Sequence, residues 1–390
     1  MQSMVRWFLL ASVVAAPAWA FPWMVKHNYG SCAACHVDPS GSGQLTQYGR
    51  AQADVLVRWR TQPRKEDEEV PRSANFLWFL ELPEALNLSG NVRGGTLIGV
   101  TANTVSARPV VMATDLYATV NFGPMVAHVT TGVGIKRTEL AAILPACTAG
   151  TCGAQWVSRE FWVGAKFADE AVMVRAGRLN LPFGLRNNEH TSFVREYTRT
   201  DVNTGQQVGA SAAYNSETLR GEVMGIAGNF QMGPDLYRER GYSAFGEYSI
   251  SHNAYIGVSS LITYAGQDFK MARPTTRHAH GLFARVAPTE KLALLAEADF
   301  LAWQSPQWLD ALGFAALAQA DLDVMQGIHL MGTFEAAHDA YGTSSIGGWL
   351  SATWYVLPHM ELRLDNILRS ALGPTASLNY SLLVQIHVFL

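Results

Sequence analysis

The sequence predicts an all-β fold: a transmembrane antiparallel β-barrel of about sixteen strands over residues 86–390, preceded by a short N-terminal segment. The first observation is that apolar and polar residues alternate past residue 85, within segments separated by turn residues. Such alternation is typical of strands with one face on lipid and the other on a wet lumen. The second is that no stretch of eighteen or more apolar residues follows the first twenty residues, which argues against spanning helices.

Residues 1–20 have the three parts of a secretory signal peptide. Arg6 supplies a positive charge, residues 7–16 form an apolar stretch, and Ala18-Trp19-Ala20 is an A-x-A cleavage site. The apolar stretch is too short to span a membrane, so we expect the signal to be removed after export, with an uncleaved anchor as the alternative.

A C-x-x-C-H motif follows shortly after this site, as Cys32-Ala33-Ala34-Cys35-His36. Two thiols at this spacing can form bonds with both vinyl groups of one haem, and the adjacent histidine then ligates the iron. A metal-binding or redox C-x-x-C is the alternative, but no second Cys or His pair follows to complete a zinc site. The motif therefore predicts one covalent haem c, bound through Cys32 and Cys35 with His36 as the proximal ligand. Residues 21–63 form a monohaem cytochrome c segment in this interpretation.

The distal iron ligand is open at the level of sequence. His27 is one candidate, although it lies five residues before Cys32 and would need a tight chain reversal; Met24 is the alternative. The barrel offers further histidines that are expected to face the lumen near its periplasmic end, each of which also fits an ordinary hydrogen-bonded lumen residue. They are His128, His329, His359 and His387.

Residues 64–85 are expected to link the haem segment to the barrel. A charge run over residues 64–72 is typical of a solvated linker, and a short helix is expected before it over residues 50–60. Residues 76–83 are apolar and fit either an extra strand or a segment tucked into the barrel.

The barrel strands are justified by their pattern and by their connections. Glu361, Arg363 and Asp365 alternate with apolar residues; such a charged face is costly in a soluble core but is well solvated in a wet lumen. Strand starts are expected near residues 86, 109, 125, 155, 170, 206, 217, 241, 254, 278, 291, 311, 327, 346, 359 and 376. Longer connections are expected near residues 101–108, 138–154, 180–205, 229–240, 266–277, 304–310, 340–345 and 370–375. An even strand count places both ends of the chain on the periplasmic side.

The remaining cysteines and charges add three expectations. Cys147 and Cys152 lie in a Thr/Ala/Gly-rich outer loop, where an oxidising compartment favours a structural disulfide. The net charge of −3 without a basic cluster gives no reason to expect nucleic acid binding. Lumen carboxylates could guide a cation, although a charged lumen is ordinary in porins; the candidates are Glu297, Asp299, Glu335, Glu361 and Asp365.

The layout resembles the fused monohaem cytochrome c–porin family of the bacterial outer membrane, which includes outer-membrane iron(II)-oxidising cytochromes. The resemblance covers the whole mature chain in layout. Locally it rests on the C-x-x-C-H motif and on an element similar to the family's L-T-x-F/Y-G-R, Leu45-Thr46-Gln47-Tyr48-Gly49-Arg50. The spacer over residues 38–43 is longer than is usual in the iron oxidases, which leaves the substrate open. Separately, residues 175–185 resemble a strand-to-loop element of phosphate-selective-type porins.

The resemblance implies electron transfer between an extracellular donor, for which Fe(II) is one candidate, and a periplasmic carrier such as a soluble cytochrome c. It implies a haem segment on the periplasmic side or inside the barrel, contact with outer-membrane lipid, and a porin-like homotrimer as one assembly. Whether the chain is an Fe(II) oxidase is left open. A transport porin with a haem-bearing plug or docking segment, and electron export to an external acceptor, are the alternatives.

Membrane thickness sets a physical condition on this function. The hydrocarbon layer is roughly 30 Å thick, so one haem at the periplasmic mouth cannot reach the outer surface. Either the haem segment lies inside the lumen, or the donor diffuses in, or a further redox protein completes the path.

Overall fold

The computed structural model describes residues 22–60, 75–101, 104–135, 154–187, 189, 191–306, 308–373 and 378–389. The expected signal peptide, the charge run of the linker, Cys147 and Cys152 lie outside the described residues. In chain order the strands are β1 (Leu86–Thr101), β2 (Thr104–Phe122), β3 (Met125–Ile135), β4 (Ala154–Val157), β5 (Phe161–Phe167), β6 (Val172–Leu179), β7 (Gln207–Asn215), β8 (Leu219–Gly228), β9 (Arg240–Ser251), β10 (Ala254–Ala265), β11 (Thr275–Thr289), β12 (Leu292–Ser305), β13 (Trp308–Met325), β14 (Ile328–His338), β15 (Ser344–Leu357), β16 (Met360–Leu372) and β17 (Leu378–Phe389).

The strands form one closed antiparallel barrel. Each pairs with its neighbours in the chain, and β1 closes the ring against β17, with Asn91 opposite Phe389 and Val100 opposite Tyr380. β4 and β5 both pair with β3 and share one position in the ring, so the barrel has sixteen positions. The prediction of a sixteen-stranded antiparallel barrel is confirmed.

Two predicted loops are wrong. The connections expected over residues 101–108 and 304–310 are tight hairpins, with Thr101 opposite Thr104 and Ser305 opposite Trp308. The polar residues there extend the strands instead of leaving them. Threonine is β-branched and favours strands, so its polarity marks a strand end that projects into water, not a loop.

The barrel is inverted in polarity relative to a water-soluble protein. Arg175, Arg277 and Arg285 are among the largest fully buried side chains, and they face the lumen. Leu282 is 67% exposed and Leu350 is 62% exposed, both on the outer face. Soluble proteins bury leucine and expose arginine, so the outer face matches lipid. None of the helices in the described part of the chain is long and apolar enough to cross a membrane.

Residues 22–60, which we call the plug, lie inside the barrel at the end where the short turns lie. Lys26 bonds Asp321 on β13, Arg50 Nη1 donates to Asn87 Oδ1 on β1 (2.8 Å), and the Trp59 amide donates to a carbonyl of β15 (2.9 Å). The plug contains helix α1 (Gln47–Gln52), which continues as a wider helical turn over Ala53–Val57. The helix expected over residues 50–60 therefore begins and ends about three residues earlier.

A second segment fills the middle of the lumen. Residues 180–206, which we call the inward loop, join β6 to β7 and fold back into the barrel; they contain helix α2 (Phe193–Thr198). Leu181, Phe183 and Val194 are buried there against the barrel wall. This placement gives a structural role to the porin-like element at residues 175–185, because that element leads the chain inward.

Residues 76–83 are neither an extra strand nor a segment inside the barrel. Phe76 and Leu80 pair across a tight turn, and Phe79 at its tip is exposed. Trp78 Nε1 donates to the Pro358 carbonyl (3.2 Å), which holds this turn at the short-turn mouth, where Phe76 and Leu80 line a cavity.

Candidate haem site

The C-x-x-C-H motif lies in the plug beside a cavity of about 150 Å³, the haem cavity, which is enclosed between the plug and the wall formed by β1 and β2. Cys35 and His36 line it directly. Much of the remaining wall is apolar, as a porphyrin ring requires. The apolar lining residues include Met24, Leu45, Val57, Ala113 and Phe389.

The geometry of His36 is that of a prepared metal ligand. Its Nδ1 lies 2.8 Å from the Ser42 carbonyl oxygen, so Nδ1–H donates there and Nε2 keeps its lone pair. Burial lowers the pKa of His36 to about 4, although Asp38 acts in the opposite direction. The imidazole is therefore neutral at physiological pH, which is the form that binds iron.

The structure places the two motif cysteines differently. Both are 2% exposed, and burial raises the pKa of the Cys35 thiol. Cys35 lines the haem cavity, whereas Cys32 Sγ accepts a hydrogen bond from Arg220 Nη1 (2.7 Å) on β8. The structure thus brings Cys35 and His36 to one cavity, and Cys32 must turn from Arg220 to reach it.

The two sequence candidates for the distal ligand are also separated. Met24 is 1% exposed and lines the haem cavity together with Cys35 and His36. His27 is half-buried outside the cavity, with Nε2 3.5 Å from Asp323 Oδ2. Of the two candidates, the structure therefore places Met24, and not His27, at the cavity of the motif.

The four barrel histidines all face the lumen at this end, as expected, yet they differ in access to the cavity. His387 lines it, with Nε2 2.9 Å from Asn91 Oδ1. His128 bonds Thr119 (2.8 Å), and His329 bonds Asp323 (2.8 Å), both away from the cavity. The ring of His359 packs edge-on against Phe389.

Met112 also lines the haem cavity, and sequence reasoning missed it. The pairing of β1 with β2 shifts between Arg93 and Gly94, so Met112 is the extra residue of a β-bulge. A bulge breaks the period of two, which puts a residue of unexpected parity into the lumen. No sequence signal marks this bulge apart from the glycines at 94 and 95.

The L-T-x-Y-G-R element holds helix α1 against the motif. Leu45 pairs with His36, and Thr46 Oγ1 both caps the helix by accepting from the Gly49 amide (3.0 Å) and donates to the Ala34 carbonyl (3.0 Å). A Cβ on Gly49 would lie 2.5 Å from the Cys35 carbonyl oxygen, so only glycine permits this approach. Leu45, Thr46 and Gly49 therefore contact the motif, and Arg50 contacts the barrel.

The long spacer after the motif docks the plug on β6 and the inward loop. Asp38 lies 3.2 Å from Arg175 Nη1, and Arg186 Nη2 donates to Ser40 Oγ (3.0 Å). Burial acts to raise the pKa of Asp38, but Arg175 and Arg186 outweigh it and hold that pKa below its usual value. The residues that depart from the iron oxidases are therefore docking residues.

A chain of hydrogen bonds continues from this spacer to the outer half of the lumen. Gln206 Nε2 donates to Asn180 Oδ1 (2.8 Å), and Asn180 Nδ2 donates to Ser42 Oγ (3.1 Å). Ser42 in turn accepts from His36 through its carbonyl. His36 is thus linked through Ser42 to Asn180 and Gln206 of the inward loop.

The carboxylates considered for a cation path are buried, and four of the five are paired. Glu335 lies 2.7 Å from Arg369, Asp365 lies 2.7 Å from Arg363, and Glu361 lies 3.4 Å from His387. Glu297 pairs with Arg195, and Asp299 is buried near Glu297. These groups brace the lumen and do not form an open acidic path.

Two further cavities flank the haem cavity. An outer chamber of about 640 Å³ shares Arg93, Met112, Arg159 and Asn203 with it. On the side of the short turns, a mouth cavity of about 350 Å³ shares His36 with it and is also lined by the two alanines of the motif. The motif therefore lies between the outer half of the lumen and the short-turn mouth.

A closed sixteen-position barrel with an inward loop has the fold of the outer-membrane porins. No protein-family model matches the sequence, and no curated protein is significantly similar to it. Solved structures are similar in fold. The anion-selective porin from Comamonas acidovorans matches with a TM-score of 0.59 and 11% identity, over 78% of this chain and 99% of that chain.

Two further solved structures match over the same 78% of this chain. The outer membrane channel DcaP of Acinetobacter baumannii has a TM-score of 0.57 and 9% identity, with 97% of its chain covered. OmpT of Vibrio cholerae, in its trimer form, has a TM-score of 0.56 and 7% identity, with 99% covered. At these identities the likeness defines the fold, and the function must come from the site.

Proposed function

We propose that this protein is an outer-membrane porin-type barrel that carries one covalent haem c in its plug and passes electrons between an extracellular donor and a periplasmic carrier. The observation that carries the proposal is the His36 geometry. Its Nδ1–H is committed to the Ser42 carbonyl, and its ring shares a largely apolar cavity with Cys35. A dithiol or zinc site needs no such cavity, whereas a haem does.

The residues that would hold the haem are Cys32 and Cys35 through thioether bonds and His36 through Nε2. When bound, the haem supplies a one-electron carrier whose potential is set by its axial ligands and burial. Met24 would be the distal ligand, since it lines the same cavity. The role of this chain's own residues is to hold the imidazole neutral, fix its orientation and exclude water.

The position of the plug suggests how the membrane is crossed. The apolar outer face is covered by outer-membrane lipid, and the outer chamber brings a small extracellular donor to the wall of the haem cavity. On the periplasmic side, a soluble cytochrome c would approach the motif alanines at the short-turn mouth. Fe(II) is one candidate donor, and export of electrons to an external acceptor uses the same parts in reverse. A homotrimer is the assembly we propose, as in the trimer form of OmpT.

A transport porin with a haem-bearing plug is the second candidate. The comparisons favour it, because two of the similar structures are an anion-selective porin and an outer membrane channel. In that case solute would cross the barrel at a rate that does not depend on the oxidation state of the haem.

The test is visible spectroscopy of the purified, air-oxidised protein in detergent, before and after anaerobic Fe(II). A covalent haem spectrum that becomes reduced within seconds supports electron transfer from an external donor. A haem that only dithionite reduces supports another donor or the transport porin, which solute flux into vesicles then distinguishes. Absence of covalent haem in the wild type, with the same spectrum for Cys35→Ser, would refute the haem proposal.

The distal ligand is tested separately by redox titration. Because a Met ligand raises the potential of a haem, we expect Met24→Leu to lower the midpoint potential and to alter the oxidised spectrum. Met112→Leu is the matched control, since Met112 lines the same cavity from the barrel wall. If Met112→Leu or His387→Gln produces the change and Met24→Leu does not, the assignment of Met24 is wrong.

A further inference from the structure

The outer chamber is lined by more basic than acidic side chains. It lies against β1, β2 and β15–β17 on one side and against the inward loop on the other. Its charged lining residues are the arginines Arg93, Arg108, Arg159, Arg178 and Arg369 and the carboxylates Glu189 and Asp201. A lumen with this balance attracts anions and repels free cations.

The acidic residues of the chamber are already engaged. Glu189 Oε1 lies 2.7 Å from Arg363 Nη1, behind the chamber wall. Asp201 accepts hydrogen bonds from the Asn203 amide (3.0 Å) and the Thr204 hydroxyl (2.8 Å), within its own turn. Both carboxylates of the chamber lining therefore already have partners in the protein.

Three of the arginines are engaged as well: Arg93 Nε donates to Gln385 Oε1 (2.9 Å), and two others pair with carboxylates. Arg159 is held by both oxygens of Asp115, and Arg369 lies 2.7 Å from Glu335. Arg178 on β6 lines the chamber and is only 5% exposed. Its Nε and Nη1 are closed to solvent and have no hydrogen-bond partner in the described part of the chain, and Glu160 is a nearby opposite charge. Buried donors on a charged group are costly unless they are satisfied.

An oxyanion satisfies such a guanidinium better than any other small solute. The planar fork of arginine donates two parallel hydrogen bonds to a carboxylate, phosphate or sulfate, and a low local dielectric strengthens both. Chloride and water can satisfy one donor at a time but do not match the fork.

We propose that the outer chamber concentrates small oxyanions, with Arg178 as the residue that turns to bind them, and that it disfavours free hydrated divalent cations. One consequence rests on the proposed function: a metal donor that uses this route would enter as a negatively charged carboxylate chelate and not as the free ion. The chamber itself does not depend on the haem.

The experiment uses charged thiol reagents on the full chain carrying Ser381→Cys. Ser381 lies on β17 and lines the chamber. Its labelling rate is measured with a negatively charged sulfonatoethyl and a positively charged trimethylammonioethyl methanethiosulfonate, each divided by the rate with a free model thiol. Wild-type protein treated in parallel corrects for the native cysteines. Because surface potentials of clefts reach several kT, we expect the anionic reagent to be favoured by about tenfold.

Matched variants assign the effect to the chamber. In the Ser381→Cys background, Arg178→Gln should reduce the preference at least threefold, and Arg108→Gln, which is exposed and therefore safe for folding, should reduce it too. Arg240→Gln removes the same charge from an exposed pair with Asp235 outside the chamber and should leave the preference unchanged.

Three results would overturn the proposal. The first is a ratio of anionic to cationic labelling rates at or below one. The second is an equal fall of that ratio in Arg240→Gln and Arg178→Gln. The third is that neither reagent labels the cysteine introduced at position 381. Since the readout does not involve haem, failure of Fe(II) to reduce the protein leaves this result intact, and a failure here leaves the haem proposal intact.

Discussion

Replacing Gly49 by alanine should loosen the plug from inside the barrel, because that glycine lets helix α1 approach the haem motif. The added Cβ would lie 2.5 Å from the Cys35 carbonyl oxygen and 3.0 Å from the Cys35 Cα. Ordinary van der Waals contact begins near 3.4 Å, so the helix must move by about 0.9 Å. Neither neighbour can rotate away, since both belong to the backbone.

The expected magnitude follows from the cost of overpacking. Inserting one methyl group against fixed atoms costs about 1–3 kcal/mol, and we expect a value in the upper part of that range here. This cost falls on the docked plug and not on the barrel ladder, so it lowers the free energy of opening the plug. If opening is fast relative to cleavage, proteolysis of the plug accelerates by roughly 30- to 150-fold.

Limited trypsin digestion of the purified full-length protein in detergent measures this directly. Lys26 and Arg50 are buried, so cleavage after them reports opening of the plug. Gly225→Ala on β8 is the matched control, since nothing lies within 4 Å of the added Cβ. The reasoning fails if Gly49→Ala is cleaved at the rate of wild type and of Gly225→Ala.

Three other predictions use the same digestion or simple thiol chemistry. Lys26→Met should accelerate cleavage of the plug at least tenfold, because it removes the lysine from two barrel carboxylates and leaves them with histidine partners. Lys166→Met in an exposed pair should change it less than about threefold, and equal effects would contradict this. Asp38→Asn should accelerate it by roughly ten- to a hundredfold. Because the folded pKa of Asp38 lies below its ordinary 3.8, its stabilisation is present above about pH 4 and lost on acidification, and pepsin digestion should show that loss only in wild type. Cys147 and Cys152 should resist alkylation until a reductant is added, and labelling of either without reductant would exclude the disulfide.

The barrel could be predicted from the sequence because its signal is local. Lipid on one face and water on the other impose a period of two on every strand, and that pattern survives without knowledge of any partner strand. The predicted loop boundaries and facing of residues failed where the alternation of polar and apolar residues is interrupted for another reason. Thr104 and its neighbours are polar because their strand projects beyond the lipid, and Met112 enters the lumen because a bulge shifts its parity.

The C-x-x-C-H motif could also be recognised from adjacent residues, but the residues that surround it in the structure could not be predicted from the sequence. Cys35 and His36 announce their chemistry by spacing, whereas the position of Met24 depends on a chain reversal inside the barrel. Lys26 meets Asp321 across 295 residues, and no local pattern encodes such a contact. The role of the spacer over residues 38–43 depends on contacts of Asp38 and Ser40 with distant arginines, which the spacer sequence does not encode.

The hydrogen bonds from Gln206 through Asn180 and Ser42 to His36 connect two cavities of the barrel. Gln206 lines the outer chamber, and His36 faces the haem cavity. A hydrogen bond on the far nitrogen of a metal-bound histidine sets how strongly that ring donates electron density to the metal. If His36 holds a haem as we propose, a solute that shifts Gln206 would shift the reduction potential of that haem, and by reciprocity its oxidation state would change the affinity for the solute. Solute binding in the outer chamber and the redox state of the haem would then be allosterically coupled.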